Sequence, residues 1–504
     1  MPPAPTAAQG REACVGPMQR HFSHAEIMAV LPGLVLAMFL AALDQTIVSI
    51  ALYTIARDLH GEALMPWVVS GYLIVATVAT PVYGKLSDLF GRWPVLSTAI
   101  GIYLAASLAS TLAQSMPQLL VFRLLQGLGG GGLIVLVQTI VADIVERRNR
   151  GRYQAWLSGA FAVAAVTGPI VGGLLTQYVS WRAVFVLNLP LGLIAWVNLR
   201  RGLRDLPLGR PGKPIDYLGA VLLSVLLAAF MLALLLIGQG HRALDPWPLA
   251  GFATALGFAL LLALWERRAP DPLLPPSLFR NRTVMISCAI LGANFFVLYG
   301  TQILAPLALQ TSGGLRASQV ALAMLPLTLG VPVGSYFSGK AMLGAMRQRL
   351  LLAGGSLLST LGAGILTLAV LEPGWPVATA LLFTGFGIGM CIPATIVAVQ
   401  WAVPAAQVGI ATAVSGVFRT LGGALGIAML SALLFATLTR NTAAPGALRD
   451  QDAALRLAEF APALLEAGFH RAFALAAVLA MIATLLARWL DPTSAHAEGT
   501  TGGD

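Results

Sequence analysis

The chain has 504 residues, of which 57% are hydrophobic and only 10% charged, against about 25% charge in a typical soluble domain. That composition excludes an ordinary soluble enzyme, and because a spanning helix uses about 20 apolar residues it also leaves too much apolar sequence for a single membrane anchor. The net charge of +10 would suggest nucleic acid in a soluble chain; here it reads as loop chemistry at an anionic membrane face, with lipid and not nucleic acid as the partner.

Cys14, Cys288 and Cys391 stand at neither zinc nor redox spacing, so no disulfide framework, metal or cofactor is indicated. Residues 1–27 are polar, and the apolar run after them has no cleavage-like site, so they read as a cytoplasmic N-terminal segment and not a secretory signal. Apolar stretches bounded by charge, Pro or Gly then follow at 28–54, 64–86, 94–113, 117–140, 153–177, 182–200, 216–238, 247–265, 283–309, 317–338, 349–371, 376–401, 406–437 and 466–488. The periodicity and length predict fourteen transmembrane helices and an all-α integral membrane protein.

Basic residues orient these spans. Loops on one side hold Lys85 and Arg92; Arg147, Arg148, Arg150 and Arg152; Arg200, Arg201, Arg204, Arg210 and Lys213; Arg267, Arg268, Arg280 and Arg282; and Lys340, Arg347 and Arg349. With Arg11, Arg20 and Arg488 these make about 21 of the 31 basic residues, which places that side and both termini in the cytoplasm. The largest outer segment, 438–465, carries mixed charge and is expected to form a short amphipathic helix.

The first span contains Leu43-Asp44-Gln45-Thr46-Ile47-Val48, and Asp44 is the one carboxylate placed well inside any span. The turn after the second span reads Gly84-Lys85-Leu86-Ser87-Asp88-Leu89-Phe90-Gly91-Arg92. Gly84 and Gly91 allow a tight turn, Asp88 can face the positive end of a neighbouring helix, and Arg92 can pair with Asp143 at the end of the fourth span. Such a cluster would latch two bundles in one state; the plainer alternative is a positive loop that only orients the helix.

The fourth span carries Arg123 and Gln126 on one face, followed by Gly127 and Gly129 to Gly132. A charge at this depth costs about 2.5–3.5 kcal/mol on insertion scales, so Arg123 needs a partner, and Asp44 is the candidate. Burial raises a carboxyl pKa and a nearby arginine lowers it, which gives the pair a means of loading and releasing a proton; the alternative is a static buried pair that fixes helix packing. The fifth span ends with Gly168, Pro169, Gly172 and Gly173, which read as a hinge or a tight seal toward the outside, or as a simple packing kink.

On the ninth span Asn294, Tyr299 and Gln302 are candidate cavity-wall residues, with Phe295 and Phe296 available for stacking. Arg419 lies near the middle of the thirteenth span, and no acid of the second half is deep enough to neutralise it. Gly84, Lys85 and Arg92 recur as Gly339, Lys340 and Arg347 at a constant offset of 255. The offset points to parallel halves: a six-helix bundle at 28–200, two additional helices with linkers at 201–282, a second six-helix bundle at 283–490, and a cytoplasmic tail at 491–504.

The ordered set of the Asp44 segment, Gly84 to Arg92, Arg123 to Gly132, Gly168 to Gly173, Trp181-Arg182 with Asn188-Leu189-Pro190-Leu191-Gly192, and Phe418-Arg419-Thr420-Leu421-Gly422-Gly423 resembles the fourteen-helix drug:proton antiporter branch of the major facilitator superfamily. Trp93 and Ala164 depart from the usual residues of the loop and hinge signatures. The resemblance covers roughly 28–490. It implies two bundles around a central cavity, alternating access, and export of amphipathic compounds across the bacterial inner membrane against protons, as in antibiotic resistance.

Carried over by position, Asp44 and Arg123 become the proton-coupling pair. Gly84, Lys85, Asp88, Gly91, Arg92 and Asp143 become the gating loop, and Gly168, Pro169, Gly172 and Gly173 the antiporter hinge. Gln126, Asn294, Phe295, Tyr299, Gln302 and Arg419 are the candidate substrate cavity. Two arginines against one aspartate predict a preference for neutral, weakly anionic or zwitterionic amphiphiles over dications. An exporter dedicated to one endogenous metabolite or antibiotic fits the same motifs. A membrane-embedded enzyme would need a Ser-His-Asp set, a His-rich cluster or an Asp-rich metal motif near the headgroups, and a sensor would bind ligand without proton dependence. The sequence carries no signal for or against a periplasmic adaptor protein.

Overall fold

The computed structural model describes residues 24–490 apart from 62–63, 147–148, 204–215, 239–240, 242, 271, 312–313, 316, 343–344, 370–373, 405–406 and 441–461. Its helices are α1 (His24–Asp58), α2 (Met65–Phe90), α3 (Arg92–Thr111), α4 (Met116–Ile144), α5 (Arg150–Tyr178), α6 (Arg182–Val186), α7 (Asn188–Leu203), α8 (Tyr217–Gly238), α9 (Pro246–Glu266), α10 (Pro276–Arg280), α11 (Arg282–Thr311), α12 (Ala317–Ala323), α13 (Leu325–Ala341), α14 (Ala345–Ala369), α15 (Trp375–Trp401), α16 (Val408–Arg440) and α17 (Pro462–Ala487). They supply fourteen spans long and apolar enough to cross a membrane, with α6 and α7 forming one. Among the described residues there is no strand.

Several expected spans run longer in the structure, and two are interrupted. The expected 28–54 is a 35-residue helix, because Ile27, Ile55 and Ala56 are buried beyond the expected ends and Glu26 in the first turn and Arg57 in the last suit the helix dipole. The run at 317–338 is broken at Met324, where Pro326 in the first turn of α13 restarts the helix. The expected outer amphipathic helix at 438–465 falls mainly on 441–461, outside the described residues, as do Cys14, Arg147, Arg148, Arg204, Arg210 and Lys213.

Two sets of six spans pack by the same scheme. In the first, α1 packs on α5 and α7, α2 on α4, and α3 on α4 and α7; in the second, α11 packs on α16 and α17, α13 on α15, and α14 on α15 and α17. Central position follows depth of burial: α4, α11 and α15 are 67%, 72% and 78% buried along their spans, whereas the peripheral α9 is 17% buried. Without a hydrophobic drive between helices in lipid, close packing decides these contacts. The glycine run of α4 lets two neighbours approach at once. A Cβ at Gly131 would stand 2.2 Å from the Ala76 carbonyl oxygen of α2, and one at Gly129 would stand 2.6 Å from the Ala99 carbonyl oxygen of α3.

The halves meet through two equivalent crossings at the face that carries Lys85, Arg92, Arg150 and Lys340, here the basic face. At one, α2 lies on α16; at the other, α13 lies on α5. The helix pair α8–α9 is joined by Phe230 and Phe252, edge to face at 5.7 Å. It packs on α2 and α16, and away from the basic face Leu234 and Ile237 of α8 pack on Ala428 of α16.

Candidate functional site

Asp44 is completely buried, and its carboxylate is the centre of a polar network between α1, α3, α4 and α7. Arg123 Nη1 donates to Asp44 Oδ2 at 2.6 Å and to Gln126 Oε1 at 2.7 Å. Gln126 Nε2 donates to Asp44 Oδ1 at 3.0 Å and to Ser107 Oγ at 2.7 Å. Asn188 Nδ2 reaches the same two acceptors at 3.1 and 3.3 Å. The Arg123 guanidinium also lies 4.3 Å from the Tyr72 ring centroid. Ionised groups at this depth persist only with partners, and both carboxylate oxygens are occupied.

Two residues beyond Asp44, the Thr46 hydroxyl lies between the Leu43 carbonyl at 3.0 Å and the Ala164 carbonyl of α5 at 3.2 Å, either of which can accept its proton. Here α5 comes closest to α1: a Cβ at Gly168 would stand 2.0 Å from Thr46 Oγ1, and one at Gly172 2.9 Å from the Ile47 carbonyl oxygen. Gly173 faces open space, so it takes no part in this seal. Pro169 lies inside an unbroken helix.

A second polar cluster closes the basic face. Arg92 Nε donates to Asp143 Oδ2 at 2.5 Å, and Nη1 donates to Ser87 Oγ and Asp88 Oδ1, each at 2.5 Å. All four residues belong to the first bundle, so the ion pairs of Arg92 do not themselves cross the seam. The crossing runs through Asp88, whose carboxylate lies against the start of α16, where a Cβ at Gly409 would stand 2.5 Å from Asp88 Oδ1 and a helix N-terminus favours negative charge. Gly91, at φ 93°, turns the chain sharply enough to bring Arg92 back to Asp88. Lys85 Nζ reaches the Pro272 carbonyl at 3.2 Å, linking the loop to the segment after α9.

Away from the basic face, a cavity of about 490 Å³ lies between the halves. Its wall includes Gln45, Thr46, Tyr72 and Arg123 from the first bundle, Tyr299, Gln302 and Arg419 from the second, and Met231, Leu234 and Leu235 from α8. It is mainly apolar with a few polar groups, the usual character of a small-molecule site.

Residues 34–427 match the Major Facilitator Superfamily. The chain belongs to the Major Facilitator Superfamily. It is therefore a membrane transporter and not an enzyme. Multidrug transporter protein MdtP of Bacillus subtilis (strain 168) is 33% identical over 416 residues, covering 80% of this chain and 75% of that protein. Multidrug resistance protein 3 of the same organism is 29% identical over 367 residues, 71% of this chain and 70% of the relative. The proton:xylose symporter XylE shares the fold, with a TM-score of 0.62 at 15% identity over 94% of this chain and 97% of its own.

Within this superfamily fold the sequence-selected residues separate into three places. Asp44, Arg123 and Gln126 come together; Gly84, Lys85, Asp88, Gly91, Arg92 and Asp143 gather at the basic face; and Tyr299, Gln302 and Arg419 share the cavity wall. Three of the expected cavity residues are elsewhere. Gln126 is consumed by the Asp44 network, and Asn294 is fully buried against α14, donating to the Ile290 carbonyl at 2.9 Å and approaching Ser356 Oγ at 3.5 Å. Phe295 is buried beneath Arg419 and is not part of the wall. Ser107 and Tyr72 are site residues that the sequence reading did not select, and Asn188 entered it only as part of a motif, without a role. Trp181 and Arg182 hold Asp58 at the end of α1, at 2.7 and 3.3 Å.

Proposed function

We propose that this transporter is a proton-coupled antiporter that exports amphipathic small molecules, drugs among them, across the cytoplasmic membrane by alternating access. Asp44 is the proton carrier, with Arg123 as its counter-charge. The basic face is cytoplasmic and both termini lie on that side, in keeping with the distribution of Lys and Arg. The observation that carries the reading is the fully buried Asp44 bonded to Arg123, Gln126 and Asn188, within one turn of Gln45 and Thr46 on the cavity wall.

An intramembrane acid is costly and belongs to ion or proton pathways more often than to packing. Protonating Asp44 removes the charge that holds Arg123, and the hydrogen bonds to Gln126 and Asn188 must then rearrange. The contact of Thr46 with Ala164 and Gly168 passes that rearrangement to α5, which forms one of the two crossings between halves. In this state the crossings at Gly84 and Gly339 seal the cytoplasmic side, and the cavity lies beyond them, toward the outside.

Inverted membrane vesicles test the reading. The wild-type protein should release protons from an acidified lumen when substrate is added, and Asp44→Asn should abolish that release while remaining folded. Intact substrate-dependent proton release in the variant would refute the assignment.

A further inference from the structure

The charge on the cavity wall is one-sided. Arg123 and Arg419 both border the cavity, and none of the described residues lining it is acidic. Asp44 is fully buried and pairs with Arg123, so it neutralises that arginine and leaves Arg419 as the uncompensated charge among the described wall residues. Arg123 is spent on Asp44 and Gln126. Arg419 forms no ion pair among the described residues; its guanidinium lies 5.7 Å from the Phe295 ring centroid, and Phe295 meets Tyr299 edge to face at 5.7 Å.

The position of Arg419 is built into the backbone. A Cβ at Gly422 would stand 2.1 Å from the Gly292 carbonyl oxygen, and one at Gly423 would stand 2.0 Å from the Tyr299 ring. The glycines one turn past Arg419 thus hold α16 hard against α11 and fix the arginine beside Tyr299. A rigidly mounted cation is what a selective anion site requires. Guanidinium takes carboxylate or sulfonate by charge-assisted, often bidentate hydrogen bonds. A cationic ligand would meet the uncompensated charge of Arg419 in a confined apolar space, and such a juxtaposition selects against it. In the same cavity, Met231, Leu234 and Leu235 of α8, which packs on α16, offer an apolar surface.

We propose that the substrate is an amphipathic monoanion, an aromatic organic acid whose carboxylate or sulfonate pairs with Arg419 while its rings pack on Tyr299 and the α8 wall. This rests on the reading of the cavity as the substrate path, and it deepens that reading from amphipathic compounds in general to one charge class.

Three nearly isosteric probes separate charge from shape: 1-naphthylacetate, 1-naphthylacetamide and 2-(1-naphthyl)ethylamine. Binding to the purified full-length protein in detergent is measured by equilibrium dialysis, without a proton gradient. The anion should bind tightest, by about tenfold or more over the amide, in line with a hydrogen bond to a charged group, and the amine weakest. Arg419→Gln should remove the anion's advantage over the amide, with melting in detergent reporting a folded protein; Arg419→Lys should keep part of the advantage. Equal or tighter binding of the amine by the wild-type protein, or an unchanged ranking in Arg419→Gln, would overturn the proposal. The wild-type ranking decides even where the variant fails to fold. Anion preference without proton exchange in vesicles would sink the antiport reading and leave this one standing.

Discussion

Gly84 of α2 and Gly339 of α13 make the same contact on opposite sides of the molecule. A Cβ at Gly84 would stand 2.9 Å from the Gly409 carbonyl oxygen and 2.8 Å from Ala413 Cβ; a Cβ at Gly339 would stand 2.7 Å from the Gly151 carbonyl oxygen and 2.4 Å from Ala155 Cβ. Each glycine thus fits over a Gly-x-x-x-Ala face of the other half, and the two crossings together form the seal. Small residues at such sites permit backbone approach in lipid, where packing is the main source of helix association. The crossings differ in their support, because Leu343 stands where the repeat would place a second Asp88.

Valine at either glycine should open the basic face. Overpacking costs about 1–3 kcal/mol, which at about 1.4 kcal/mol per decade shifts the closed-to-open ratio by roughly 5- to 150-fold. In a background lacking the native cysteines, a cysteine placed at Ala413 should react faster with an impermeant maleimide in inverted vesicles when Gly84→Val is present. Unchanged labelling would mean that the seam tolerates the side chain and is not the seal. Gly339→Val should do the same for a cysteine at Ala155.

The polar network around Asp44 should lose stability in a graded way. Gln126 engages Arg123, Asp44 and Ser107, Asn188 engages two of these groups, and Ser107 only accepts. Removing a buried partner leaves unsatisfied groups at about 1–3 kcal/mol each. Melting in detergent should therefore fall most for Gln126→Ala, less for Asn188→Ala and least for Ser107→Ala. An Asn188→Ala melt indistinguishable from wild type would remove Asn188 from the site.

Much of this site was legible in the sequence, for identifiable reasons. Asp44 and Arg123 declare themselves because charge inside a span is expensive, and the three-residue spacing to Gln126 places it on the same face as Arg123. That spacing does not say which neighbour the face meets, so Gln126 was assigned to the cavity and not to Asp44. Asn294 failed for a related reason: seventeen residues are buried around α11, the polar Ser287, Asn294 and Thr301 among them, so polarity alone does not say which side of the helix meets the cavity. Ser107 and Asn188 acquire meaning only when α3 and α7 are brought beside α1. The placement of α8 was equally hidden, since a helix with a mean hydropathy of 3.0 has no face that distinguishes lipid from protein.

Arg92 should matter for turnover more than for binding. It sits outside the cavity but fixes Asp88 where its carboxylate lies against Gly409 at the start of α16. Arg92→Ala should slow efflux by about tenfold or more, as expected when a charged hydrogen-bonding group of a conformational seal is removed, while dye affinity stays within about twofold. Because Asp143 acts through Arg92, adding Asp143→Asn to Arg92→Ala should cost little more than Arg92→Ala alone. Fully additive losses in efflux would show two independent roles. Loss of dye affinity in Arg92→Ala would place the residue in the binding site instead.

The α8 wall predicts a size effect that a merely peripheral helix would not produce. Leu234 borders the cavity and also packs on Ala428, so Leu234→Trp should project the added ring into a space of about 490 Å³. Ligands that fill most of such a cavity lose contacts or are excluded, whereas small ones retain room. Efflux of multi-ring dyes should therefore fall severalfold, with single-ring substrates nearly unchanged and thermal stability close to wild type. A lipid-facing position gives the contrary result, since Leu256 and Leu260 on α9 are exposed and tryptophan there should leave both size classes alike. Equal efflux of large and small substrates by Leu234→Trp would show that the inserted helix pair stands outside the transport path.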